Sequence, residues 1–320
     1  MISFVFNLKL NIQNLKLPFF ASPLSILCHY FYYDAEKEPM SQIRAITQLI
    51  QGQPTSDGAG VKLRRMIANP ELDHLDPFLL LDEFKNDNPE DYEAGFPDHP
   101  HRGFETITYL LAGAFTHQDS KGNKGHLKTG AIQWMTAGKG VIHSEMPEQT
   151  DGLAWGFQLW LNLPAKLKMI EPKYQDIPSE KLPVADENGV RAKILAGVYQ
   201  GVQSPAQSYT PMDYFDLCLS PYAVFSHPVP EARNAFIYII EGKAKTGPPD
   251  QPTHVKAGYL GVFGPGDSVK VQAQDNKPLR FLFASGQKLN EPIVRGGPFV
   301  MNTLGELKKA FSDYQTGQLG

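Results

Sequence analysis

The chain repeats itself, and that limits its fold more than any other feature. Thr108-Tyr-Leu-Leu-Ala-Gly113 aligns with Ile237-Tyr-Ile-Ile-Glu-Gly242 at an offset of 129 (242 − 113). Gly130-Ala-Ile-Gln-Trp-Met-Thr-Ala-Gly138 aligns with Gly258-Tyr-Leu-Gly-Val-Phe-Gly-Pro-Gly266 at an offset of 128 (266 − 138). Two nearly equal offsets over separate segments mean two copies of one unit. The unit reads as apolar strand, Gly turn, apolar strand, Gly-rich turn, the outline of a double-sheet barrel whose closure removes exposed strand edges. Strand periodicity agrees: Leu153, Trp155, Phe157, Leu159, Leu161 and Leu163 alternate along one face, as do Phe215, Leu217 and Leu219, and then Val269, Val271 and Ala273. Turn residues punctuate the strands, Asn188-Gly189 and Gly264-Pro265-Gly266-Asp267 among them. With 28 Gly and 26 Pro in 320 residues, the chain exceeds the usual share of about 12% and is no helical bundle. Only its end has helical spacing: the capping box Thr303-x-x-Glu306 precedes Leu304, Leu307, Phe311 and Tyr314, with Gly317 as the stop.

The expectation is an all-β protein of two tandem barrels with a short C-terminal helix. Residues 40–175 form the first barrel and 176–320 the second. Residues 1–39 stand apart. They are apolar and aromatic, but Lys9, Asn11, Gln13, Asn14 and Lys16 interrupt them before any membrane-spanning run of about 18 apolar residues builds up. No clean signal-peptide cleavage site follows, and translation from Met40 is the simpler expectation. Net charge is -4 with a pI of about 6.1, so nothing draws the chain to nucleic acid or an anionic membrane. Two cysteines, Cys28 and Cys218, make neither a disulfide framework nor a thiolate zinc site, which suits a reducing cytoplasm.

Chemistry concentrates in the first copy. In His99-Pro-His-Arg-Gly-Phe-Glu105, a continuous strand would place His99, His101 and Glu105 on one face, with Gly103 leaving room between them. Gly140-Val-Ile-His-Ser-Glu145 offers His143 and Glu145 at the same spacing. The second copy lacks both sets: the offsets carry His99, His101 and Glu105 to Pro228, Pro230 and Asn234, and His143 and Glu145 to Val271 and Ala273. Ligands gathered in one copy and absent from the other indicate a metal-binding barrel beside a structural one. Spacing alone leaves open which glutamate joins the three histidines. His29, His74, His117, His126, His227 and His254 read as surface or hydrogen-bonded core residues. Three imidazoles and a carboxylate suit one divalent transition ion, Fe, Mn, Ni, Co, Cu or Zn, with positions left for exchangeable ligands.

HxHxxxE, a Gly-rich turn and G-x-x-H resemble the motifs of cupin barrels. Longer strings resemble the pirin family: Leu75-Asp-Pro-Phe-Leu-Leu-Leu-Asp-Glu-Phe84, Gly95-Phe-Pro-Asp-His-Pro-His-Arg-Gly-Phe-Glu-Thr106, Gln133-Trp-Met-Thr-Ala-Gly-Lys-Gly140, His143-Ser-Glu-Met146 and Gly297-Pro-Phe-Val-Met-Asn-Thr303. The likeness runs from about Arg44 to the C-terminus. It implies a bicupin with a mononuclear metal, Fe(II) first, held by His99, His101, His143 and Glu145. Glu105 then stands behind the ligands, orienting an imidazole N–H. The resemblance further implies quercetin 2,3-dioxygenase chemistry, with dioxygen and a flavonol-like aromatic as partners and Glu145 as the catalytic base. Phe96, Phe104, Trp134 and Met135 are candidates for the pocket wall. The same resemblance also covers a non-catalytic regulator that binds a protein partner according to the metal's oxidation state, in the cytoplasm or, in a eukaryote, the nucleus. A metal-independent sugar enzyme of the wider cupin group fits less well, because all four ligands are retained.

Overall fold

A computed structural model describes residues 42–319; the reading of residues 1–39 lies outside them. The two copies appear as two antiparallel double-sheet barrels of the same design. In the first, a seven-stranded sheet runs in the order Lys173–Ile177, Ile132–Thr136, Phe104–Ala112, Ala154–Asn162, Phe78–Asn86, Val61–Ile67, Gln53–Asp57. It faces a four-stranded sheet of Phe96–His101, Val141–Pro147, Ala114–Asp119 and Lys124–Lys128. The second barrel repeats this with seven strands from Ile46–Gln51 through Tyr259–Phe263 and Arg233–Glu241 to Val184–Glu187, and four from Val224–Pro228 to Thr253–Lys256.

The first strand of each copy belongs to the other barrel. Lys173–Ile177 pairs with Ile132–Thr136 in the first barrel, while Ile46–Gln51 pairs with Tyr259–Phe263 in the second. These two strands are themselves 127 residues apart (173 − 46), a third instance of the repeat. Each therefore covers a sheet edge that its own half could not cover. The chain's far end crosses over as well: the hairpin Val294–Gly296 and Phe299–Met301 lies on the first barrel through a bridge between Arg102 and Phe299. Neither Ile46–Gln51 nor the hairpin stays with the barrel suggested by sequence order.

The apolar stripe of Ala154–Asn162 faces the other barrel. Trp155, Phe157, Leu159 and Leu161 join Ile107, Tyr109 and Trp134 in one buried cluster with Tyr214, Phe236, Tyr238, Leu260 and Leu282 of the second barrel. Two buried phenols cross this interface, Tyr109 donating to Asp216 at 2.7 Å and Tyr238 to Glu83 at 2.6 Å. The opposite face of the same strand, with Gln158 and Trp160, looks into the first barrel's cavity. The second barrel's interior is instead filled by Phe215, Leu217, Phe225, Val269, Val271, Phe281 and Phe283.

The C-terminal helix spans Leu304–Gln315 and starts with the expected capping box, Thr303 Oγ1 accepting from the Glu306 N–H at 3.2 Å while Glu306 Oε2 accepts from the Thr303 N–H at 2.9 Å. It docks on the first barrel through Arg102 and Asp313, 2.8 Å apart and both buried. Leu304 remains exposed.

Candidate metal centre

His99, His101 and His143 come together in the first barrel. One ring nitrogen from each lies within 4.8 Å of the others. Two neighbouring strands of the four-stranded sheet place them, with His143 opposite His99 and Val141 opposite His101. Main-chain carbonyls fix two of the rings. His99 Nδ1–H donates to Pro97 O at 2.8 Å, and His101 Nδ1–H points at Pro298 O, 3.4 Å away. A carbonyl can only accept, so both rings carry a proton on Nδ1, and Nε2 is the nitrogen left to meet an ion. Neither nitrogen of His143 has a partner, although the side chain is buried. Burial, reinforced by the neighbouring imidazoles, holds His101 and His143 well below the ordinary histidine pKa. Three imidazoles with converging nitrogens, those of buried His143 without a partner among the described residues, are the donor set that a divalent first-row ion requires, and the residues fit one.

Glu145 lines the same cavity without belonging to that close trio. A bulge between His143 and Glu145 re-aims the strand. The carboxylate is held from both sides: Thr108 Oγ1 donates to Oε1 at 3.0 Å and Gln158 Nε2 to Oε2 at 3.0 Å.

Glu105 is placed elsewhere. The continuous strand expected over residues 99–105 is broken at Gly103, whose φ of +91° ends one strand and starts another in the opposite sheet. Glu105 consequently points away from the imidazoles toward the second barrel. It is 0% exposed, its Oε1 accepts from Thr136 Oγ1 at 2.7 Å, and its Oε2 has no partner. Burial raises its pKa to about 7. The role expected of it, orienting an imidazole, is taken by the carbonyls of Pro97 and Pro298.

The cavity beside the trio is about 620 Å³, a size suited to a small aromatic ligand. Of the four candidate wall residues only Phe96 lines it. Phe104 packs between His101 and Trp160, Trp134 lies in the inter-barrel cluster, and Met135 is in a small cluster of its own with Ala137 and Val141. The aromatic wall is Trp160, edge-on to His101 with ring centroids 5.1 Å apart, together with Phe84 and Phe115. Arg65, Asp82 and Arg295 also line the cavity, and none was legible as a site residue because they come from remote parts of the chain.

The second barrel shows what replaced the site. Val269, at offset 128 from Val141 (269 − 141), pairs with His227, so His227 occupies the register position of His101. Phe225 and Val271 stand in for His99 and His143 in the same way. His227 Nε2 lies 3.3 Å from Asp213, whose carboxylate also accepts from Arg233 at 2.7 Å and Ser285 at 2.9 Å. The surviving imidazole is thus tied into a buried polar network. Among the described residues, three metal-ligating donors gather only in the first barrel.

Comparison with known proteins now bears on both barrels. Residues 60–161 match the family model described as Pirin, and residues 214–320 the one described as Pirin C-terminal cupin domain. The chain belongs to the pirin family. A pirin-like protein of Solanum lycopersicum is 48% identical over 280 residues, covering 88% of this chain and 94% of the relative. Pirin of Homo sapiens is 42% identical over 282 residues, covering 88% and 96%. The crystal structure of a quercetin 2,3-dioxygenase from Acinetobacter baumannii superimposes with a TM-score of 0.79 at 32% identity, covering 87% of this pirin and 99% of that chain. The two double-sheet barrels are therefore the two cupin domains of a pirin, and their metal-competent half is the N-terminal one. No helix among the described residues is long and apolar enough to cross a membrane.

Proposed function

We propose that this pirin binds one divalent transition ion, Fe(II) before the other first-row metals, and opens a flavonol-type ring with dioxygen. The observation that carries the reading is the convergence of three imidazoles, with Glu145 beside them, at a cavity large enough for an aromatic ligand. His99, His101 and His143 hold the ion, with Glu145 as fourth ligand and base. When bound, the ion supplies the Lewis acidity that lowers a flavonol hydroxyl's pKa and the redox couple that dioxygen chemistry needs. The remaining work falls to the protein. Phe96, Phe84 and Trp160 sandwich a flat ring system and exclude water. Glu145, steadied by Thr108 and Gln158, accepts the hydroxyl proton. The likeness to a quercetin 2,3-dioxygenase supports this substrate class.

Metal content of the purified protein, with His101→Ala as control, is the first test: one ion per chain in the wild type and a large loss in the variant are expected. Anaerobic loading with Fe(II), then quercetin and dioxygen, is the second, and one carbon monoxide per ring-opened product is the expected result. No turnover with any first-row metal, combined with binding of a protein partner that depends on oxidation state, would replace the enzyme reading with the regulatory one.

A further inference from the structure

Two arginines line the cavity, and only one is neutralised. Arg65 is locked by carboxylates: its Nε and one Nη meet both oxygens of Asp82 at 2.9 and 2.7 Å, and that same Nη reaches Asp57 at 2.8 Å. Arg295 has no carboxylate within 4.0 Å among the described residues. Its one protein hydrogen bond runs from Nη1 to Leu79 O at 3.2 Å, leaving the other N–H donors of the guanidinium without a protein acceptor. The group is ordered all the same, since its carbon lies over the Trp160 ring, 5.0 Å from the centroid. Burial works against its charge, as does the like charge of Arg65.

Trp160 is the common neighbour that locates this cation. His101 meets the ring edge-on and the Arg295 guanidinium carbon lies over it. A flat aromatic lying along the Trp160 wall would therefore reach from the imidazole trio to the guanidinium. Three acids favour the charge of Arg295 from a distance, and each is engaged elsewhere: Asp73 with His74 at 2.8 Å, both oxygens of Asp82 with Arg65, and Asp57 with the same Arg65 guanidinium. A planar fork with free donors at the end of an apolar slot matches a carboxylate, which it can hold with two parallel hydrogen bonds.

We infer that Arg295 is the seat of a ligand carboxylate, so that the molecule filling this cavity is a flat aromatic acid with its carboxylate turned away from the imidazoles. The inference rests on reading the cavity as an aromatic-ligand site, and it adds an acid group to the flavonol-type ring system of that reading. It also gives the hairpin at Val294–Met301 a part in selecting the ligand, through Arg295, in addition to the contact of Pro298 with His101.

The test uses biphenyl-4-carboxylate and its neutral isostere biphenyl-4-carboxamide, titrated calorimetrically into the full chain, both metal-free and metal-loaded. A charge-assisted pair predicts that wild type binds the carboxylate about 10- to 100-fold more tightly than the amide. Arg295→Gln should abolish that preference, and Arg295→Lys should keep part of it, because the charge remains while the planar fork is lost. Thermal melting and metal content of each variant establish that it is folded. Equal affinities in wild type, no binding of either probe, or a carboxylate preference that survives in Arg295→Gln would each overturn the inference. Quercetin turnover by the loaded wild type separates this from the previous reading. Turnover without a carboxylate preference removes only the role of Arg295; a preference without turnover removes only the ring opening.

Discussion

Replacing Glu105 by Gln tests whether a fully buried carboxyl between the barrels is kept neutral by its surroundings. The side chain is 0% exposed; Thr136 donates to Oε1, and Trp134, the Tyr209 main chain and Ser208 favour the charged form without offsetting burial. Burial therefore raises its pKa from 4.5 to about 7. Between these two values the unfolded chain has released the proton while the folded chain retains it. The unfolded state then binds fewer protons, so stability falls as pH rises through this window. The group's contribution is complete below about pH 4.5 and lost by the time pH passes 7. At about 1.4 kcal/mol per pKa unit, the difference corresponds to about 3 kcal/mol across the window. Gln has the same shape and no charge to titrate. The assay is urea unfolding of chelator-treated wild type and Glu105→Gln from pH 5 to pH 8, so that ligand histidines contribute equally to both. The variant should gain on the wild type steadily as pH rises, by an amount approaching that figure. A difference between the two proteins that stays flat across the window would refute the argument, and would mean that Glu105 is ionised and satisfied in the fold.

Other expectations follow from single contacts. Glu145→Gln should retain the ion through the three imidazoles but lose turnover at least about 100-fold if the carboxylate serves as base, read from metal content alongside steady-state rates. Gly103→Ala forces φ of +91° on a residue with a side chain and drives its Cβ into the Val300 carbonyl oxygen; a loss of at least about 2 kcal/mol and weakened metal binding are expected, by denaturation and metal titration. Lys168→Met removes a buried ammonium that donates to Gly103 O, Asn162 Oδ1 and Val300 O at 2.7, 2.6 and 3.0 Å, and should cost about 3 kcal/mol or more by leaving three acceptors unpaired. Residues 42–171 expressed alone should aggregate, because Ile46–Gln51 loses its partner strand in the second barrel and Ile132–Thr136 loses Lys173–Ile177, and co-expression with 172–320 should restore soluble protein; a well-folded isolated half would contradict the strand exchange.

The residues that repeat locally were the ones the sequence could reveal. Strand alternation, the two copies, the capping box at Thr303 and the histidine pairs each depend on spacing within a few residues, or on one segment compared with another, so they are legible without a structure. Fold class and the three imidazoles followed from them. What spacing could not show was a change of direction between neighbours. Glu105 follows His101 by four residues, but the positive φ at Gly103 sends it to the opposite sheet face. The constant offset similarly led to Pro228 and Pro230, whereas strand register puts His227 at the position of His101.

Two β barrels of one design, with the candidate metal ligands in only one, could be read from the linear order, because duplication and residue type are properties of that order. Tertiary structure alone decided how the halves are joined and what surrounds the ion. Ile46–Gln51 and Lys173–Ile177 exchange barrels because a sheet edge takes the strand that covers it, regardless of where that strand lies in the chain. The cavity draws Trp160 from a strand whose more conspicuous face belongs to the interface, and Arg295 from a hairpin nearly 200 residues beyond His101. Burial and free donors, which make Arg295 and Glu105 chemically interesting, arise only when distant segments exclude water together.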